Sequence, residues 1–377
     1  MSPTLLPSGS TPRQSSSGRP RLFAFLAVFA LFVAACGSDS EDTEDATVAE
    51  TVEAAEPATE PETEETADET AEPVETESLS MQLSWIKNMQ FPGPYMAIEQ
   101  GYYDEYGLDV DLLGGGPSVD SITIVASGEA LIGMADSNEL AVARGQGIPV
   151  VALGAAFLKS PFGMITMADA PIDTLEGMYG KTVAVSDGSR PTLEALMERE
   201  GLDPSQVDFV PKNPDPSVLP DGAVDAYWGF VSSEGAVLAA RGVDVTWTLL
   251  SDLGEPTYAN TYFVMEETLE EDRDTIVEVM AADLAGWQYS VDNLEETVRI
   301  TQSDYQDEDA EYDIMLEQHR AQIDLIIPDG ELLTMDPAVF EANVQSAISG
   351  GLLDEAYPVE DVIDLTVLED ARALAGE

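Results

Sequence analysis

From residue 80 onward, short apolar runs typical of strands alternate with amphipathic segments typical of helices. Four strands are predicted first, and after residue 170 the alternation restarts and ends in a helical tail. Strands separated by helices at this spacing require mostly parallel sheets covered on both faces. The sequence therefore predicts an α/β protein. Its strands are predicted at 80–85, 107–114, 130–137, 149–157, 181–186, 207–212, 224–230, 243–250 and 257–265.

The first 35 residues have the pattern of an export signal rather than of a folded domain. Three arginines precede an apolar run, Leu22–Ala35, which is too short to span a bilayer and stops at Cys36. The residues "VAAC" before and at Cys36 resemble the bacterial lipobox, in which the cysteine is lipidated after cleavage. The sequence predicts a lipoprotein signal peptide at 1–35 and lipidation at Cys36, so that the mature protein is extracytoplasmic and anchored to the membrane.

Residues 36–79 have a different composition. After Cys36 the segment contains no lysine, arginine or aromatic residue, and acidic residues recur every two or three positions. Such a segment cannot bury enough apolar surface to offset the entropy of ordering, so we expect a disordered, self-repelling linker. The whole chain has 15 basic and 73 acidic residues, which argues against a partner that is nucleic acid or an anionic membrane surface. An adaptation to high salt is compatible with the same composition.

Residues 80–377 form a segment that is longer than a single hydrophobic core usually supports, so two lobes are predicted. Lobe 1 is assigned to 80–170 and 260–377, which includes the C-terminal helices, and lobe 2 to 171–259. The chain is expected to cross between the lobes near 165–172 and 258–264. Ligands of such folds bind at the carboxyl ends of the strands, where helix N-termini point.

The stretch "SWIKNMQFPGPY" follows the first predicted strand and concentrates bulky side chains around two prolines. Trp85 offers a flat apolar face with a polar edge, so it either stacks on a planar ligand or packs under the first helix. Phe91 and Tyr95 either complete such a stack or pack into the lobe. Asn88 either contacts the ligand or forms a turn.

Two strand–helix junctions supply polar candidates. Ser137 and Asn138 follow the third strand, where either residue is a helix cap, a ligand contact or both. Gly188 and Ser189 occupy the equivalent junction in lobe 2, where a glycine permits close approach of a ligand to the backbone. Arg190 either pairs with an anionic ligand group or points to solvent.

A second group of candidates lies at the end of the strand "VDAYWGF" and at the return to lobe 1. Tyr227 and Trp228 are the lobe 2 counterparts of Trp85, and Glu234 falls in the first turn of the next helix. Glu234 either contacts the ligand or complements the helix dipole. Tyr258 and Asn260 lie where the chain crosses back and are predicted to form part of the hinge and the cleft wall.

The stretch from residue 83 to 116 is similar to the opening of ABC-transporter substrate-binding lipoproteins of the thiamine-pyrimidine-precursor and sulfonate-binding family. The later stretches "VASGEALIGMADSNELAVARGQGIPVVALGA" and "LEGMYGKTVAV" also resemble that family, and the likeness fades over the C-terminal helices. In the first of these stretches, the residues that match the family pattern are Trp85, Asn88, Gly93, Tyr95, Ala97, Gly101, Tyr102, Tyr103, Gly107, Leu108, Asp109 and Val110.

This resemblance implies a type II periplasmic-binding-protein fold, whose two lobes close on a small molecule delivered to an ABC permease and its ATPase. It further implies that Glu234 accepts a hydrogen bond from a ring amino group, with Trp85 stacking on a thiamine-precursor pyrimidine. Riboflavin and a sulfonate or nitrate are the alternative ligands, and a monomer is expected.

An enzyme is the second class of function to consider, because pyrimidine synthases belong to the same superfamily. Those synthases use an active-site histidine, a pyridoxal-bearing lysine and a cysteine-rich motif. This chain has a single histidine, His319, in the helical tail, and its single cysteine is Cys36. It also lacks a nucleophile elbow and a phosphate loop. The sequence therefore predicts a binding protein without cofactor or metal; a surface lipoprotein with a degenerate cleft is a third class.

Overall fold

A computed structural model describes residues 76–116, 118–186, 189–306, 310–328 and 330–376. The predicted signal peptide, Cys36, nearly all of the acidic linker and Gly188 lie outside these residues. Among the described residues, no helix is long and apolar enough to cross a membrane.

Ten strands and eleven α-helices form in the described part of the chain, in close agreement with the predicted alternation. The strands are β1 Glu77–Gln82, β2 Leu108–Leu113, β3 Ile132–Ala135, β4 Val150–Phe157, β5 Phe162–Met167, β6 Thr182–Val185, β7 Asp208–Pro211, β8 Ala226–Phe230, β9 Val245–Leu249 and β10 Ala259–Met265. The helices are α1 Pro92–Glu99, α2 Ser121–Ala126, α3 Ser137–Gly145, α4 Arg190–Arg199, α5 Ala236–Ala240, α6 Glu266–Glu271, α7 Arg273–Asp292, α8 Leu294–Ile300, α9 Tyr312–Ile326, α10 Pro337–Ser349 and α11 Thr366–Ala375.

The strands form two five-stranded sheets with the same pattern. The first has the order β2-β1-β3-β10-β4 and the second β7-β6-β8-β5-β9. In each sheet the first three strands pair in parallel and the remaining pairs are antiparallel. Because β10 runs against its two neighbours, four of the five strands of the first sheet still point the same way. The predicted two-lobed α/β fold is confirmed, with mixed sheets.

The chain changes sheets at other positions than predicted. The stretch of β5 was assigned to lobe 1 and no strand was predicted in it, but it forms a strand that pairs with β8 and β9 of the second sheet. The crossing segments are therefore 158–161 and 250–258, and the N–H of Ser160 donates to the carbonyl of Thr257 at 3.1 Å between them. An apolar run shows that a strand forms but not which strand it pairs with, because partners are chosen by tertiary packing.

β1 also begins and ends earlier than predicted. Glu77 and Ser78 pair with Leu108 and Asp109 of β2, although both belong to the stretch predicted as linker. Their side chains are exposed, so their polar character does not prevent strand pairing. Consequently Trp85 lies in the loop beyond the strand rather than at its last position.

Helices α1 and α7 pack closely under the first sheet. The indole of Trp287 is fully buried, and its Nε1–H donates to the hydroxyl of Tyr262 at 2.8 Å. A Cβ on Gly93 would lie 2.3 Å from that indole, so the ring occupies the space that a larger side chain would need.

A buried carboxyl lies in the same core. Asp283 of α7 is fully buried and accepts a hydrogen bond from the hydroxyl of Tyr103 at 2.9 Å. Burial raises the pKa of Asp283 from 3.8 to about 8, while the bond from Tyr103 opposes that rise. The folded protein therefore keeps a proton on Asp283 at neutral pH that the unfolded chain has lost.

This difference predicts how stability depends on pH. The contribution of Asp283 is fully present below its unfolded pKa and is lost as the pH rises towards the folded pKa of about 8. We expect Asp283→Asn to remove that decline, so that the difference in unfolding free energy between variant and wild type grows by about 1.4 kcal/mol per pH unit in this window. Urea denaturation at several pH values measures the difference. Asp292→Asn, on the exposed face of the same helix, is the control, and a constant difference for Asp283→Asn would contradict the prediction.

Candidate functional site

The loop 83–91 joins β1 to α1 and is held by side chains from distant strands. Ser84 Oγ donates to Oδ1 of Asn260 at 2.6 Å, and Nδ2 of Asn260 donates to the carbonyl of Gln90 at 3.3 Å. Asn260 is 2% exposed and has a φ of +50°, a left-handed conformation that asparagine tolerates better than most residues. Asn260 thus connects both ends of the loop to β10.

A glycine allows this loop to lie against its neighbour. The N–H of Gly115 donates to the carbonyl of Trp85 at 2.8 Å. A Cβ on Gly115 would lie 2.6 Å from the carbonyl oxygen of Leu83 and 2.7 Å from the nitrogen of Trp85, both backbone atoms. The loop conformation therefore requires glycine at this position.

The aromatic residues of this loop differ in exposure. Trp85 is 40% exposed, which leaves a face of its indole available. Phe91 is fully buried in the core, and so is Tyr95, whose ring stacks on Tyr305 with centroids 3.9 Å apart. The three-ring ligand stack predicted from the sequence is not assembled here, since only Trp85 presents a free surface.

Asn88 has the turn-forming role that was one of its two interpretations. Its Oδ1 accepts from the N–H of Gln90 at 2.9 Å, and its own N–H donates to the hydroxyl of Tyr95 at 3.1 Å. Burial raises the pKa of the Tyr95 hydroxyl, so that this group stays protonated at neutral pH.

A cavity of about 330 Å³ lies beside the loop. It is bounded by the loop after β1, by the turn after β8 and by α9 with the segment that precedes it. Gln318 and Gln322 lie one helical turn apart on α9, and Gln322 is 1% exposed with no hydrogen-bond partner for its Oε1 among the described residues. The lining residues are Ile86, Lys87, Asn88, Met89, Gln90, Ser233, Gln306, Ala310, Gln318 and Gln322.

At the end of β3, the helix cap is Asp136 rather than Ser137 or Asn138. Glu139 accepts from the N–H of Asp136 at 3.4 Å, and Oδ1 of Asp136 accepts from the N–H of Asn260 at 3.3 Å. Burial, assisted by the charge of Glu139, raises the pKa of Asp136 from 3.8 to about 7.

The neighbouring candidates at this junction have different environments. Ser137 is fully buried and its hydroxyl donates to Oδ1 of Asn343 at 2.7 Å, whereas Asn138 is exposed. Tyr258 is 6% exposed, packs against Phe340 and accepts from the N–H of Asp336 at 2.7 Å. Ser137 and Tyr258 therefore attach α10 to the first sheet in this arrangement.

In the second sheet, Tyr227 and Trp228 point to opposite faces of β8 and both are buried. Trp228 is 3% exposed and packs near Phe162, with ring centroids 6.3 Å apart. The hydroxyl of Tyr227 donates to the carbonyl of Asn213 at 2.6 Å. Neither ring forms the free second stacking surface that the sequence suggested.

Glu234 lies in a π-helical turn, Val231–Gly235, that follows β8. Its Oε1 accepts a hydrogen bond from Nζ of Lys212, which directly follows β7. Its Oε2 is buried and has no hydrogen-bond partner within the described part of the chain. Ser233 of the same turn lines the cavity, so the turn that carries this unpaired oxygen borders the cavity.

The junction after β6 contributes less than the sequence suggested. The hydroxyl of Ser186 donates to Oγ of Ser189 at 2.8 Å, at the start of α4. Arg190 is exposed and pairs with Glu194 at 2.7 Å, so its charge is satisfied on its own helix. This position agrees with the solvent interpretation.

Lys212, Gln318 and Gln322 are the residues of this region that the sequence did not indicate. Two glutamines one turn apart also occur on solvated helix faces, and a lysine after a strand is common at a surface. Asn260 was predicted from its place where the chain returns to the first sheet, but its contacts with the loop after β1 were not.

The described residues contain no group of three His, Cys, Asp or Glu side chains arranged to hold a metal. His319 is fully buried on α9, where Nε2 lies 2.8 Å from the carbonyl oxygen of Ser290. Burial lowers the pKa of His319 from 6.5 to about 4. The imidazole is therefore neutral at physiological pH and is enclosed by protein.

Comparison with known protein families assigns the chain to one of them. A family described as "NMT1/THI5 like" matches residues 88–297, which include the end of the loop after β1, the strands β2 to β10 and the turn after β8. The protein belongs to the NMT1/THI5-like family. The resemblance seen in the sequence is thereby confirmed.

Two relatives of this NMT1/THI5-like protein are named for different activities. The formylaminopyrimidine-binding protein of Halalkalibacterium halodurans is 25% identical over 296 residues, covering 76% of this chain and 89% of the relative. The 4-amino-5-hydroxymethyl-2-methylpyrimidine phosphate synthase of Legionella pneumophila is 21% identical over 228 residues, covering 59% of this chain and 72% of the enzyme. The longer match is to a binding protein.

A solved structure confirms the fold of the NMT1/THI5-like chain. The periplasmic aliphatic sulphonate binding protein SsuA of Escherichia coli superimposes with a TM-score of 0.58 at 14% identity. The match covers 76% of this chain and 92% of SsuA. At this identity the likeness establishes the periplasmic-binding-protein fold alone.

Proposed function

We propose that this protein is the extracytoplasmic solute-binding component of an ABC importer. The observation that carries the proposal is the position of the cavity, where the loop after β1 and the turn after β8 meet between the two sheets. Two crossing segments, 158–161 and 250–258, connect the sheets and form a natural hinge. A ligand that prefers the closed arrangement shifts the lobes towards it, and compaction in small-angle scattering on addition of ligand checks this.

The proposed ligand is a flat heterocycle of the aminopyrimidine class. Trp85 offers an exposed indole face for stacking, and Glu234 offers a free carboxylate oxygen to an amino group. The relative named as a formylaminopyrimidine-binding protein supports the same class. In lobe 2, Arg190 and Lys212 are each paired with a glutamate, so neither is free to bind a sulfonate or nitrate.

Catalysis is not part of the proposal. A synthase of this family would need reactive groups, yet His319 is fully enclosed and its pKa is lowered to about 4. Cys36 is the single cysteine and belongs to the predicted lipobox. The synthase relative also matches a shorter part of this chain than the binding protein does.

Isothermal titration calorimetry of residues 76–377 tests the ligand class. We expect saturable binding of 4-amino-5-hydroxymethyl-2-methylpyrimidine, with riboflavin and an alkanesulfonate as comparison compounds. Binding of riboflavin alone would keep the stacking role of Trp85 and remove the amino-group role of Glu234. Binding of the sulfonate alone would overturn the ligand proposal, and native mass spectrometry of freshly purified protein would identify any ligand that co-purifies.

We further propose that Cys36 is the lipidated N-terminus and that residues 37–75 tether a monomeric receptor near its permease and ATPase. The apolar run before "VAAC" and the acidic composition after it support this arrangement. Cys36→Ser is expected to move the protein from the membrane fraction to the soluble fraction, as followed by immunoblotting. Retention of the variant in detergent-free membranes would contradict the lipid anchor.

A further inference from the structure

The ion pair between Lys212 and Glu234 is built into the carboxyl edge of the second sheet. Lys212 directly follows β7 and reaches across β6 to the turn after β8, where its Nζ donates to Oε1 of Glu234. Both side chains are largely enclosed, with 21% and 19% of their surfaces exposed. The pair therefore lies at the edge where ligands bind in folds of this kind.

The surrounding residues are shaped to hold this pair. A Cβ on Gly229 would lie 2.6 Å from Nζ of Lys212 and 2.9 Å from Oε1 of Glu234, so the absence of a side chain at Gly229 makes room for it. The ammonium also lies 4.9 Å from the ring centroid of Tyr227, whose hydroxyl is fixed by the carbonyl of Asn213. Three neighbouring positions thus keep Lys212 next to Glu234.

The ion pair leaves one carboxylate oxygen of Glu234 hydrogen-bonded and the other without a partner among the described residues. Oε1 is occupied by Lys212, whereas Oε2 is buried without a partner among the described residues. The hydroxyl of Ser232, which is fully buried in the same turn, also lacks a partner there. Because buried polar atoms are normally hydrogen-bonded, the unpaired Oε2 of Glu234 is the atom for which a ligand would supply a donor.

The charge at this place is already balanced. A bare carboxylate would attract a cation, but an ammonium held against it adds repulsion towards a second positive charge. A neutral donor, such as the amino group of an uncharged heterocycle, bonds to Oε2 without that repulsion.

We propose that Lys212 is a specificity-determining residue that makes the site select neutral ligands over cationic ligands of the same shape. The inference rests on the proposed binding function and assigns Lys212 a role that acts through Glu234. Lys212 is therefore a positioning residue rather than a direct ligand contact.

The experiment compares two ligands that differ in charge. One is 4-amino-5-hydroxymethyl-2-methylpyrimidine, and the other is its ring-N-methylated derivative, a permanent cation of nearly the same size. We expect wild type to bind the neutral compound at least about tenfold more tightly at neutral pH, and Lys212→Met to cancel or reverse that preference. Lys212→Arg keeps the positive charge and should keep the preference for the neutral compound.

The matched control is Lys181→Met. Lys181 forms an ion pair with Asp225 in the same sheet, at the opposite edge and with both side chains 42% exposed, so its loss should leave the ratio of the two affinities unchanged. If wild type binds both compounds and Lys212→Met leaves their ratio unchanged, the role of Lys212 is refuted while the binding function stands. If wild type binds neither compound, the proposed aminopyrimidine ligand class is refuted, and the role of Lys212 is refuted with it.

Discussion

Replacing Gly286 with alanine is expected to lower the free energy of unfolding by about 3 kcal/mol. Gly286 lies in α7 where that helix crosses α1, and a Cβ there would lie 2.2 Å from the carbonyl oxygen of Gly93. It would also lie 2.8 Å from the nitrogen of Ala97. Because both atoms belong to the backbone, a helix must move to accept even one methyl group.

Such a movement also disturbs the buried side chains of this interface. Trp287 follows Gly286 and fills the space above Gly93, so separating α1 from α7 opens a gap around the indole. A loss of close contacts adds to the steric cost. Urea denaturation followed by circular dichroism measures the change, provided that the denaturant slopes of variant and wild type agree.

Gly235→Ala is the control for this experiment. Gly235 is also helical, but a Cβ there would meet atoms no nearer than 3.6 Å, an ordinary contact distance. Alanine in a helix is favoured over glycine by up to about 1 kcal/mol, so this variant should be as stable as wild type or more stable. An equally small effect of Gly286→Ala would show that α1 and α7 separate freely.

Trp85→Ala is expected to weaken binding of the aminopyrimidine by about tenfold to a hundredfold. A stack between a base and an aromatic side chain contributes about 1–3 kcal/mol, and each 1.4 kcal/mol corresponds to about tenfold in affinity. Because Trp85 is 40% exposed in the loop, its removal should leave the stability of the fold unchanged. Titration calorimetry measures the affinity, and thermal unfolding checks the stability.

Trp247→Ala provides a matched control, since Trp247 is 39% exposed on β9 at the edge of the second sheet. The Trp247→Ala variant should bind the ligand as wild type does.

A second variant, Glu234→Gln, separates stacking from hydrogen bonding. It should weaken binding of the aminopyrimidine and leave binding of a flavin unchanged, because a flavin lacks a ring amino group. Undiminished affinity in Trp85→Ala would exclude the stacking role.

Local sequence patterns predicted most of the secondary structure. Alternating apolar runs located the strands, and glycines after helices marked several ends, as at Gly101 with its φ of +74°. These signals are readable because propensity, turn chemistry and hydrophobic periodicity act over a few neighbouring residues. The same signals predicted the α/β class and a site at the carboxyl ends of the strands.

Partner choice between distant elements was decided by the tertiary structure. The stretch that forms β5 was assigned to lobe 1 without a predicted strand, yet it pairs in the second sheet between β8 and β9. Similarly, an aromatic side chain at a strand end serves a ligand or a core according to what packs against it. Phe91, Tyr95, Tyr227 and Trp228 are buried by other elements, and Trp85 is not.

The sequence by itself determined that this chain carries an α/β receptor fold with Trp85 and Glu234 near strand ends. The tertiary structure decided which of their atoms remain free, because Lys212, Asn260 and α9 reach the site from other parts of the chain. Contacts between residues far apart in sequence depend on the packing of the whole chain, and no local pattern records them.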